Sequence, residues 1–436
     1  MAIDHRAVQG PAASDEPGSF NFSERRNGSA NGGHHEGGPS NVHSGNPLYL
    51  NGNGSGAAQA VGSVSPYTNG RASRTDNRRP RCCWATLMTG DRYLPGLAVF
   101  AWSLLRSPHA STYPLLVMVA RNSCTPEAIR VVEQLGCVVV EVDRLDPPKA
   151  KAACEKGKNG SANGHATGVR SDANGDVVPP TAASEPPVVL AETRFSEVWA
   201  KLRAWQLDAL GYERVVLVDS DMLVTRNMDE LMDRNAVGLP ASNVSTGIAA
   251  SCACTCNPAK IPTYPKDWVP ANCAFTPQTY PSCLAVPTFS LQSDSRPSYH
   301  LLNSGLVVLE PSSQVFSQML QHLVDNHERV ITYRFPDQDF LADFFHGNYR
   351  PLPYIYNALK KLRASHQNIW RDQDVKNVHY IHTKPWEAKG RDRGGPDELT
   401  HSWWWDVFEA KVRPSRAGGV DAKLWQSCIE KYVHAE

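Results

Sequence analysis

The hydrophobic residues of this chain form short apolar runs that alternate with segments of helical spacing. The runs have the length of buried strands and cover Trp84–Met88, Leu115–Ala120, Val138–Val142 and Val215–Val218. Between them, apolar residues recur every three or four positions, which predicts helices over Leu94–Leu105, Pro126–Leu135 and Phe195–Leu210. Strands that are apolar on both faces and alternate with helices indicate an α/β fold with a mostly parallel central sheet. Because such sheets bind ligands beyond the carboxyl ends of their strands, the residues that follow each strand are the candidates for chemistry.

Two segments lack this pattern. Residues 1–79 and 151–187 are rich in small and polar side chains, and both contain Asn-Gly-Ser-Ala-Asn-Gly, from Asn27 and from Asn159. Such segments cannot bury enough apolar surface to offset the entropy lost on ordering, so we predict that both are disordered. We interpret them as solvated linkers, with a regulatory tail and loop as the alternative. The folded domain is then expected over residues 80–390, followed by a helical extension over residues 391–436.

Charge and composition narrow the class of protein. The 436 residues contain 44 Lys+Arg and 44 Asp+Glu, so the formal net charge is zero. This balance argues against a nucleic-acid partner, because binding to phosphates needs a basic face. We find no run of roughly 18 apolar residues that would predict a membrane span, and the first residues lack the apolar segment of a secretory signal. We therefore expect a cytoplasmic protein whose eleven cysteines are reduced.

A pair of acidic residues follows the strand predicted at Val215–Val218. Asp219 and Asp221 stand at positions i and i+2, where an apolar strand meets a loop, so both carboxylates can reach one divalent cation. Mg²⁺ and Mn²⁺ prefer oxygen ligands and usually take one or two carboxylates together with substrate phosphates. Such an ion would neutralise a diphosphate and stabilise it as a leaving group. The alternative is a turn whose acids cap the next helix.

A histidine and a lysine further along the chain offer matching chemistry. The segment from Val378 to His382 alternates like a strand, and His379 within it could provide a nitrogen ligand to Mn²⁺. Lys384 follows and could meet a phosphate as a point charge. A histidine on a strand can equally be a hydrogen-bonded core residue. The interpretation of His379 as a ligand therefore depends on the other motifs that accompany it.

Taken together and in this order, the motifs resemble those of glycosyltransferase family 8. They are Thr86-Leu-Met-Thr89 with Tyr93, Lys201-Leu-Arg-Ala-Trp205, Asp219-Ser-Asp221, Asn303-Ser-Gly305, Asp337-Gln338, and His379 with Lys384-Pro-Trp386. The resemblance covers about residues 82–390 and is nearest to the branch of glycogenin and galactinol synthase. It implies a GT-A fold, which is a single Rossmann-like nucleotide-diphospho-sugar domain. It also implies a Mn²⁺-dependent hexosyltransferase, with Mg²⁺ as the alternative ion, that uses a UDP-sugar and an acceptor hydroxyl and retains the anomeric configuration.

The resemblance further implies roles for individual residues. The metal ligands are Asp219, Asp221 and His379. The donor-binding residues are Leu87, Thr89 and Tyr93 at the uridine, Asn303 and Ser304 at the sugar, Lys384 at the diphosphate, and Arg194 by a looser spacing. The catalytic positions are Lys201, Asp337 and Gln338. Two routes of transfer stay open, namely attack from the face of the leaving group and a double displacement with Asp337 as the nucleophile.

The chain departs from glycogenin near its Tyr356-Asn357 motif. The segment from Ala358 to Trp370 lacks the tyrosine that glycogenin glucosylates, so self-priming is not expected. The turn before Lys384 contains His382 and Thr383 where the family has a glycine. A glycogenin-like self-glucosylating primer and a non-catalytic nucleotide-sugar-binding protein of the same fold are the alternative functions.

Residues 251–300 are predicted to form a Cys- and Pro-rich loop beside the donor site. Its cysteines are Cys252, Cys254, Cys256, Cys273 and Cys283. A zinc site is one interpretation, but structural zinc more often uses Cys-x₂₋₄-Cys pairs, so reduced and packed thiols are favoured. The position of the loop suggests a part in recognising the acceptor. Further on, Trp403-Trp404-Trp405 are expected to pack over the sheet, and a stacking platform for a sugar ring is the alternative.

Overall fold

The computed structural model of this chain describes residues 48–50, 80–145, 197–237, 247–285, 291, 295–387 and 394–434, which belong to one compact unit. Arg194, the insertion predicted at 151–187 and most of the predicted N-terminal tail lie outside the described residues. Within that tail, Leu48–Leu50 forms a short strand, which corrects the expectation of disorder for these three residues. The strand pairs in parallel with Val140–Val142, so its backbone gains hydrogen-bond partners that the sequence pattern did not reveal.

The strands of the described residues form two sheets. In chain order they are β1 (Leu48–Leu50), β2 (Cys82–Met88), β3 (Leu115–Ala120), β4 (Val138–Val142), β5 (Arg214–Val218), β6 (Met222–Val224), β7 (Ile248–Cys252), β8 (Leu302–Leu309), β9 (Tyr349–Leu352), β10 (Ala358–Leu359) and β11 (Asn377–His379). The large sheet has the order β1-β4-β3-β2-β5-β8-β7-β9, and the small one has the order β10-β11-β6.

The helices lie between these strands and after the last of them. The α-helices are α1 (Leu94–Leu105), α2 (Pro126–Gln134), α3 (Arg234–Val237), α4 (Ser313–Asp325), α5 (His327–Val330), α6 (Pro336–Phe344), α7 (Leu362–Ser365), α8 (Glu398–Val407), α9 (Arg413–Gly419) and α10 (Ala422–Leu424). A 3₁₀ helix covers Val198–Leu210. Among the described residues, no helix combines the length and the apolar character needed to cross a bilayer.

The strand directions confirm the predicted α/β fold with a mostly parallel sheet. Strands β1, β4, β3, β2 and β5 are neighbours in this order and all run parallel. Strand β8 runs antiparallel to both of its neighbours, β5 and β7, whereas β9 is again parallel to β7. Two predicted boundaries are corrected, because β7 extends to Cys252 into the predicted loop and β11 ends at His379 before the predicted end of its strand.

The register of three neighbouring strands brings the predicted motifs to one edge. Thr86 of β2 pairs with Val218 of β5, so the residues that follow both strands lie side by side. Val218 also pairs with Leu306 of the antiparallel β8. The Asn303-Ser-Gly305 motif at the beginning of β8 therefore lies where β5 ends.

The small sheet carries the histidine to the same edge. Strand β6 begins immediately after Asp221, and His379 of β11 pairs with Met222 of β6. Strand β11 also pairs in parallel with β10. The backbone pairing of a three-residue strand is thus the reason why His379 lies next to the acidic pair.

Apolar side chains fill both faces of the large sheet. Trp84 and Met88 of β2 pack into the cluster that contains α1, whereas Cys83 and Ala85 of the same strand pack with the Val198–Leu210 helix. The alternation follows from the pleat of a strand that is buried on both faces. The sequence predicts one apolar stripe on the Val198–Leu210 helix, but the structure buries several sides of it, including Lys201 and Arg203.

The C-terminal helices pack as core and hold the turn that contains Lys384. Trp404 is fully buried and stacks on Phe408 with 4.8 Å between ring centroids. The indole nitrogen of Trp405 donates a hydrogen bond to the carbonyl of Pro385 at 3.0 Å. These contacts agree with the predicted packing role of the tryptophans, and they leave the rings of Trp404 and Trp405 buried rather than open to a sugar.

Candidate active site

Asp219 and Asp221 lie next to each other where β5 ends. The amide of Asp219 donates a hydrogen bond to the carbonyl of Gly305 at 2.9 Å, and the amide of Tyr380 donates one to the carbonyl of Asp221 at 2.9 Å. The acidic turn is therefore attached to the beginning of β8 on one side and to the end of β11 on the other. This position agrees with the expectation that chemistry lies beyond a strand end.

The imidazole of His379 completes a cluster with the two carboxylates. Its Nε2 lies 3.6 Å from Oδ2 of Asp219 and 3.4 Å from Oδ1 of Asp221. One potential ligand atom from each of the three residues lies within 4.8 Å of the other two. Two carboxylates and an imidazole are a donor set that fits Mn²⁺, and the oxygens also suit Mg²⁺. The structure thus brings together the three residues that the sequence analysis singled out as metal ligands.

The orientation of His379 is set by two residues to which the sequence analysis gave no role in holding it. Nδ1 of His379 lies 2.9 Å from Oδ1 of Asn357, so the ring donates its Nδ1 proton to this amide oxygen and directs Nε2 towards the acids. Gly305 leaves the space that the ring occupies, because a Cβ at this position would lie 2.6 Å from Nδ1 of His379. The close approach explains why glycine stands in the Asn303-Ser-Gly305 motif.

A chain of side-chain amides connects the histidine to Gln338. Asn357, which is fully buried, donates to Oδ1 of Asn303 at 2.8 Å, and the amide nitrogen of Asn303 donates to Oε1 of Gln338 at 3.0 Å. The backbone amide of Gly305 also donates to Oδ1 of Asn303 at 3.1 Å. These bonds fix which end of each amide is oxygen, and they therefore support the assigned tautomer of His379.

Lys201 bridges one of the metal-ligand candidates and Asp337. Its Nζ lies 2.7 Å from Oδ1 of Asp219 and 2.8 Å from Oδ2 of Asp337. The hydroxyl of Ser304 donates to the same oxygen of Asp337 at 2.9 Å. Burial alone would lower the pKa of Lys201, but the attraction of the two carboxylates outweighs it and raises the pKa well above its usual value. Lys201 is thus a buried ammonium shared between two acids.

Lys384 lies on the other side of the acidic pair. Its Nζ contacts Oδ2 of Asp221 and donates to the carbonyl of Tyr380 at 2.9 Å. Burial of Asp221 disfavours its charged form, but Lys384 and His379 overcome this effect and hold the pKa of the carboxyl far below its ordinary value. The ammonium and the imidazole thus stabilise the ionised form of this acid.

The turn before Lys384 has backbone strain at the position where the family has glycine. His382 adopts φ of +61°, which is the left-handed region that favours glycine. The ring nitrogen Nε2 of His382 lies 3.5 Å from the hydroxyl of Tyr264 in the Cys-rich loop. This contact gives the histidine a local partner in a conformation that a non-glycine residue adopts at a cost of roughly 1–2 kcal/mol.

Three aromatic residues form a cluster beside this turn, which we call the loop cluster: Tyr264, Trp268 and Phe335. Trp268 stacks on Phe335 at 5.6 Å between centroids with an interplanar angle of 18°, and Tyr264 meets both rings edge to face. Phe335 directly precedes the helix that carries Asp337. The sequence predicts a loop near the donor site but does not single out these rings, because their spacing along the chain carries no signal.

The residues expected at the uridine lie along the same edge of the sheet. Leu87 is near the end of β2, Thr89 follows this strand, and Tyr93 precedes α1. All three are partly exposed. Since β2 is the parallel neighbour of β5, they lie beyond the same strand ends as the acidic pair. Arg194 lies outside the described residues.

The family-model comparison confirms the resemblance to glycosyltransferase family 8. The family model described as Glycosyl transferase family 8 matches residues 85–390. Galactinol synthase 1 of Solanum lycopersicum is 23% identical over 365 residues, which are 81% of this chain and 90% of the relative. Galactinol synthase 2 of Arabidopsis thaliana is 26% identical over 354 residues, which are 80% of this chain and 86% of the relative. Among solved structures, the galactosyltransferase LgtC in complex with donor and acceptor sugar analogues matches 79% of this chain and 100% of its own at 14% identity and a TM-score of 0.44.

The family match includes every motif of the candidate active site. The acidic pair, His379 and Lys384 all lie within residues 85–390, as does the sheet that brings them together. This stretch accounts for well over half of the chain. The chain belongs to glycosyltransferase family 8 and is a nucleotide-sugar glycosyltransferase of the GT-A fold.

Proposed function

We propose that this glycosyltransferase moves a hexose from a UDP-sugar to an acceptor hydroxyl, retains the anomeric configuration and requires Mn²⁺, with Mg²⁺ as the alternative ion. The observation that carries the proposal is the convergence of Asp219, Asp221 and His379 at the end of β5, with Lys384 beside them. Acidic ligands next to a lysine suit a cation that is shared with a diphosphate.

Asp219, Asp221 and His379 would hold the cation. When bound, the ion supplies positive charge that neutralises the diphosphate and makes UDP a better leaving group. Asn357 keeps Nε2 of His379 directed at the carboxylates, so the imidazole needs little reorganisation to act as a ligand. Lys384 adds a second positive charge at the same place, and we propose that it binds a phosphate oxygen of the donor.

The polar residues near α6 would surround the transferred sugar. Asp337 accepts hydrogen bonds on Oδ2 from both Lys201 and Ser304, which fixes its orientation. A carboxylate whose charge is balanced in this way can orient sugar hydroxyls, but it is a weaker nucleophile than a free one. The neighbouring Gln338 and Asn303 form an amide pair that can bind further hydroxyls.

This arrangement favours attack from the face of the leaving group. The acceptor oxygen forms the new bond to C1 of the sugar while the bond between C1 and the phosphate oxygen breaks. The proton of the acceptor hydroxyl passes to the departing phosphate, so UDP leaves with it. We expect the largest contribution to the rate to come from positive groups that are already in place where negative charge develops on the departing diphosphate.

The nucleotide and the acceptor would bind at opposite ends of this site. We propose that Leu87, Thr89 and Tyr93 hold the uridine, with Arg194 as a further donor contact. The loop cluster offers partly exposed aromatic faces next to the helix of Asp337, and such faces stack on the apolar side of a sugar or cyclitol ring. Because the curated relatives are named galactinol synthases, galactinol is the first product to look for.

The test is a panel of UDP-sugars in which UDP release is measured with Mn²⁺, with Mg²⁺ and with a chelator. We expect at least one donor to be turned over only with a divalent cation. The variant Asp221→Asn should lose this turnover, because it removes a charged ligand and the partner of Lys384. Asp406→Asn is the matched control, since this carboxylate is exposed on α8.

The outcomes separate the alternatives. Equal turnover by wild type and Asp221→Asn would refute the site, and no turnover of any donor would favour a non-catalytic binding protein. The anomeric configuration of the product, determined by NMR, tests retention directly. A ladder of hexose masses on the intact protein would instead support a self-glucosylating primer.

A further inference from the structure

Four metal-ligating side chains converge at a second place, outside the site described above. Cys254, Cys256, Cys273 and His366 each offer one ligand atom, and these four atoms lie within 4.8 Å of one another. Three of the residues are buried and Cys254 is partly exposed. We propose that this cluster is a structural zinc site with three thiolate ligands and one imidazole ligand.

The distances agree with tetrahedral coordination. Nε2 of His366 lies 3.6 Å from Sγ of Cys254, 3.1 Å from Sγ of Cys256 and 3.4 Å from Sγ of Cys273. The sulfurs of Cys254 and Cys273 are 4.0 Å apart. With Zn–S bonds of about 2.3 Å and Zn–N bonds of about 2.0 Å, a tetrahedron has S···N edges of about 3.5 Å and S···S edges of about 3.8 Å. These four distances lie within about 0.4 Å of the ideal edges.

The donor set selects the metal. Thiolates and imidazole prefer zinc over Mn²⁺ and Mg²⁺, which favour oxygen ligands. All four corners of the tetrahedron are occupied by protein atoms and the cluster is mostly buried, which is the pattern of a structural rather than a catalytic zinc. On binding, the three thiols lose their protons to the solvent and the imidazole binds through the unprotonated Nε2.

The spacing of the ligands explains why the sequence did not favour this site. Cys254 and Cys256 are separated by a single residue, sixteen residues lie between Cys256 and Cys273, and His366 follows only after β8, α6 and β10. The ligands are thus assembled by the fold and do not form a local zinc motif. His366 is held in place by α7, since its amide donates to the carbonyl of Leu362 at 2.8 Å.

The proposed ion would close the base of the loop that carries two members of the loop cluster, Tyr264 and Trp268. The sixteen residues between Cys256 and Cys273 include Tyr264 and Trp268, and their regular structure is limited to short turns and the 3₁₀ turn Pro270–Asn272. A cross-link at both ends of such a segment removes much of its conformational freedom. The zinc would therefore fix the aromatic rings relative to Phe335 without being part of the catalytic centre.

The experiment measures zinc in the full-length protein, expressed in zinc-supplemented medium and purified without chelators, by mass spectrometry of the metals. We expect about one zinc per chain in the wild type. Cys256→Ala should lose it, whereas Cys283→Ala should keep it, because Cys283 is a buried thiol of the same loop that is not part of the cluster. Asp221→Asn should also keep the zinc, which shows that the ion is not at the acidic site.

Three further measurements keep the test decisive if Cys256→Ala folds poorly. Cys254→His preserves a four-ligand set at the partly exposed corner and should retain zinc. The cobalt-substituted wild type should show thiolate-to-metal charge-transfer absorption, and tryptic cleavage at the exposed Lys260 and Lys266 should become faster after zinc is removed. Less than about a tenth of an equivalent of zinc in the wild type, or equal zinc in the wild type and Cys256→Ala, would overturn the proposal.

Discussion

The imidazole of His379 and the side-chain amide of Asn357 form a buried pair in which Nδ1 and Oδ1 are 2.9 Å apart. Because Asn357 in turn donates to Asn303, its amide cannot rotate without losing a second hydrogen bond. The pair thus fixes the tautomer of a residue that we propose as a metal ligand. Asn357→Ala should weaken Mn²⁺ binding about 10–100-fold, since it removes the group that orients the ring.

Electron paramagnetic resonance of free Mn²⁺ during a titration measures this loss directly. Asn357→Asp is the matched control, because a carboxylate can still accept the Nδ1 proton and should preserve most of the affinity. If Asn357→Ala binds Mn²⁺ as tightly as the wild type, the amide has no positioning role.

Gly305 gives a second, independent test of the same histidine. A methyl group at this position would overlap the His379 ring. The backbone of Gly305 cannot shift easily, because its carbonyl accepts a hydrogen bond from the amide of Asp219. We expect Gly305→Ala to displace the ring and lower metal affinity by at least about tenfold. The same Mn²⁺ titration reports the loss, and circular dichroism checks that the fold is kept. Unchanged affinity in a folded variant would show that the ring is not held by this contact.

The strands that the sequence predicted include apolar runs that are buried on both faces of the large sheet, such as β2, β3 and β5. The apolar run at Val215–Val218 corresponds to β5, which begins one residue earlier at Arg214. Asp219 and Asp221 could be identified for the same reason, since a position just after a buried strand is a local property of the sequence. Leu48–Leu50, in contrast, is a strand only because β4 offers its edge for pairing.

The residues that the sequence did not reveal owe their roles to distant partners. In the sequence, nothing marks Asn357 as a partner of His379. The pairing of β10 with β11 in the small sheet brings the two residues together. His366 likewise lies in the segment that the sequence distinguishes only by its lack of the tyrosine that glycogenin glucosylates. It lies close to Cys256, although 110 positions separate the two residues along the chain. Polar residues carry no periodic signal of this kind, so their assembly is visible only in three dimensions.

The buried pair of Lys201 and Asp337 should be costly to break. Lys201→Met leaves Asp219 and Asp337 close together without their shared cation, and we expect the free energy of unfolding to fall by about 3–5 kcal/mol. Urea denaturation followed by fluorescence measures the change, and UDP release by the folded variant should fall at least about 100-fold.

A surface ion pair serves as the control for this prediction. Arg130 and Glu127 lie on α2 with their side chains about half exposed, so Arg130→Met should cost less than about 1 kcal/mol. The double variant Lys201→Met/Asp337→Asn should recover part of the lost stability, because it removes one of the two unpaired charges. Additive losses in the double variant would show that the two residues are not coupled.

Trp268 tests whether the loop cluster binds the acceptor. Its ring stacks on Phe335 and is partly exposed next to the helix of Asp337, yet it makes none of the hydrogen bonds of the acidic cluster. Trp268→Ala should raise the KM for the acceptor about tenfold, which corresponds to about 1.4 kcal/mol of lost binding, and leave hydrolysis of the donor unchanged. Tyr280→Ala is the control, since this exposed ring of the same loop lies under Arg371 and outside the cluster. A parallel fall in transfer and hydrolysis would assign Trp268 to the donor side, and no change in either would remove the loop cluster from the site.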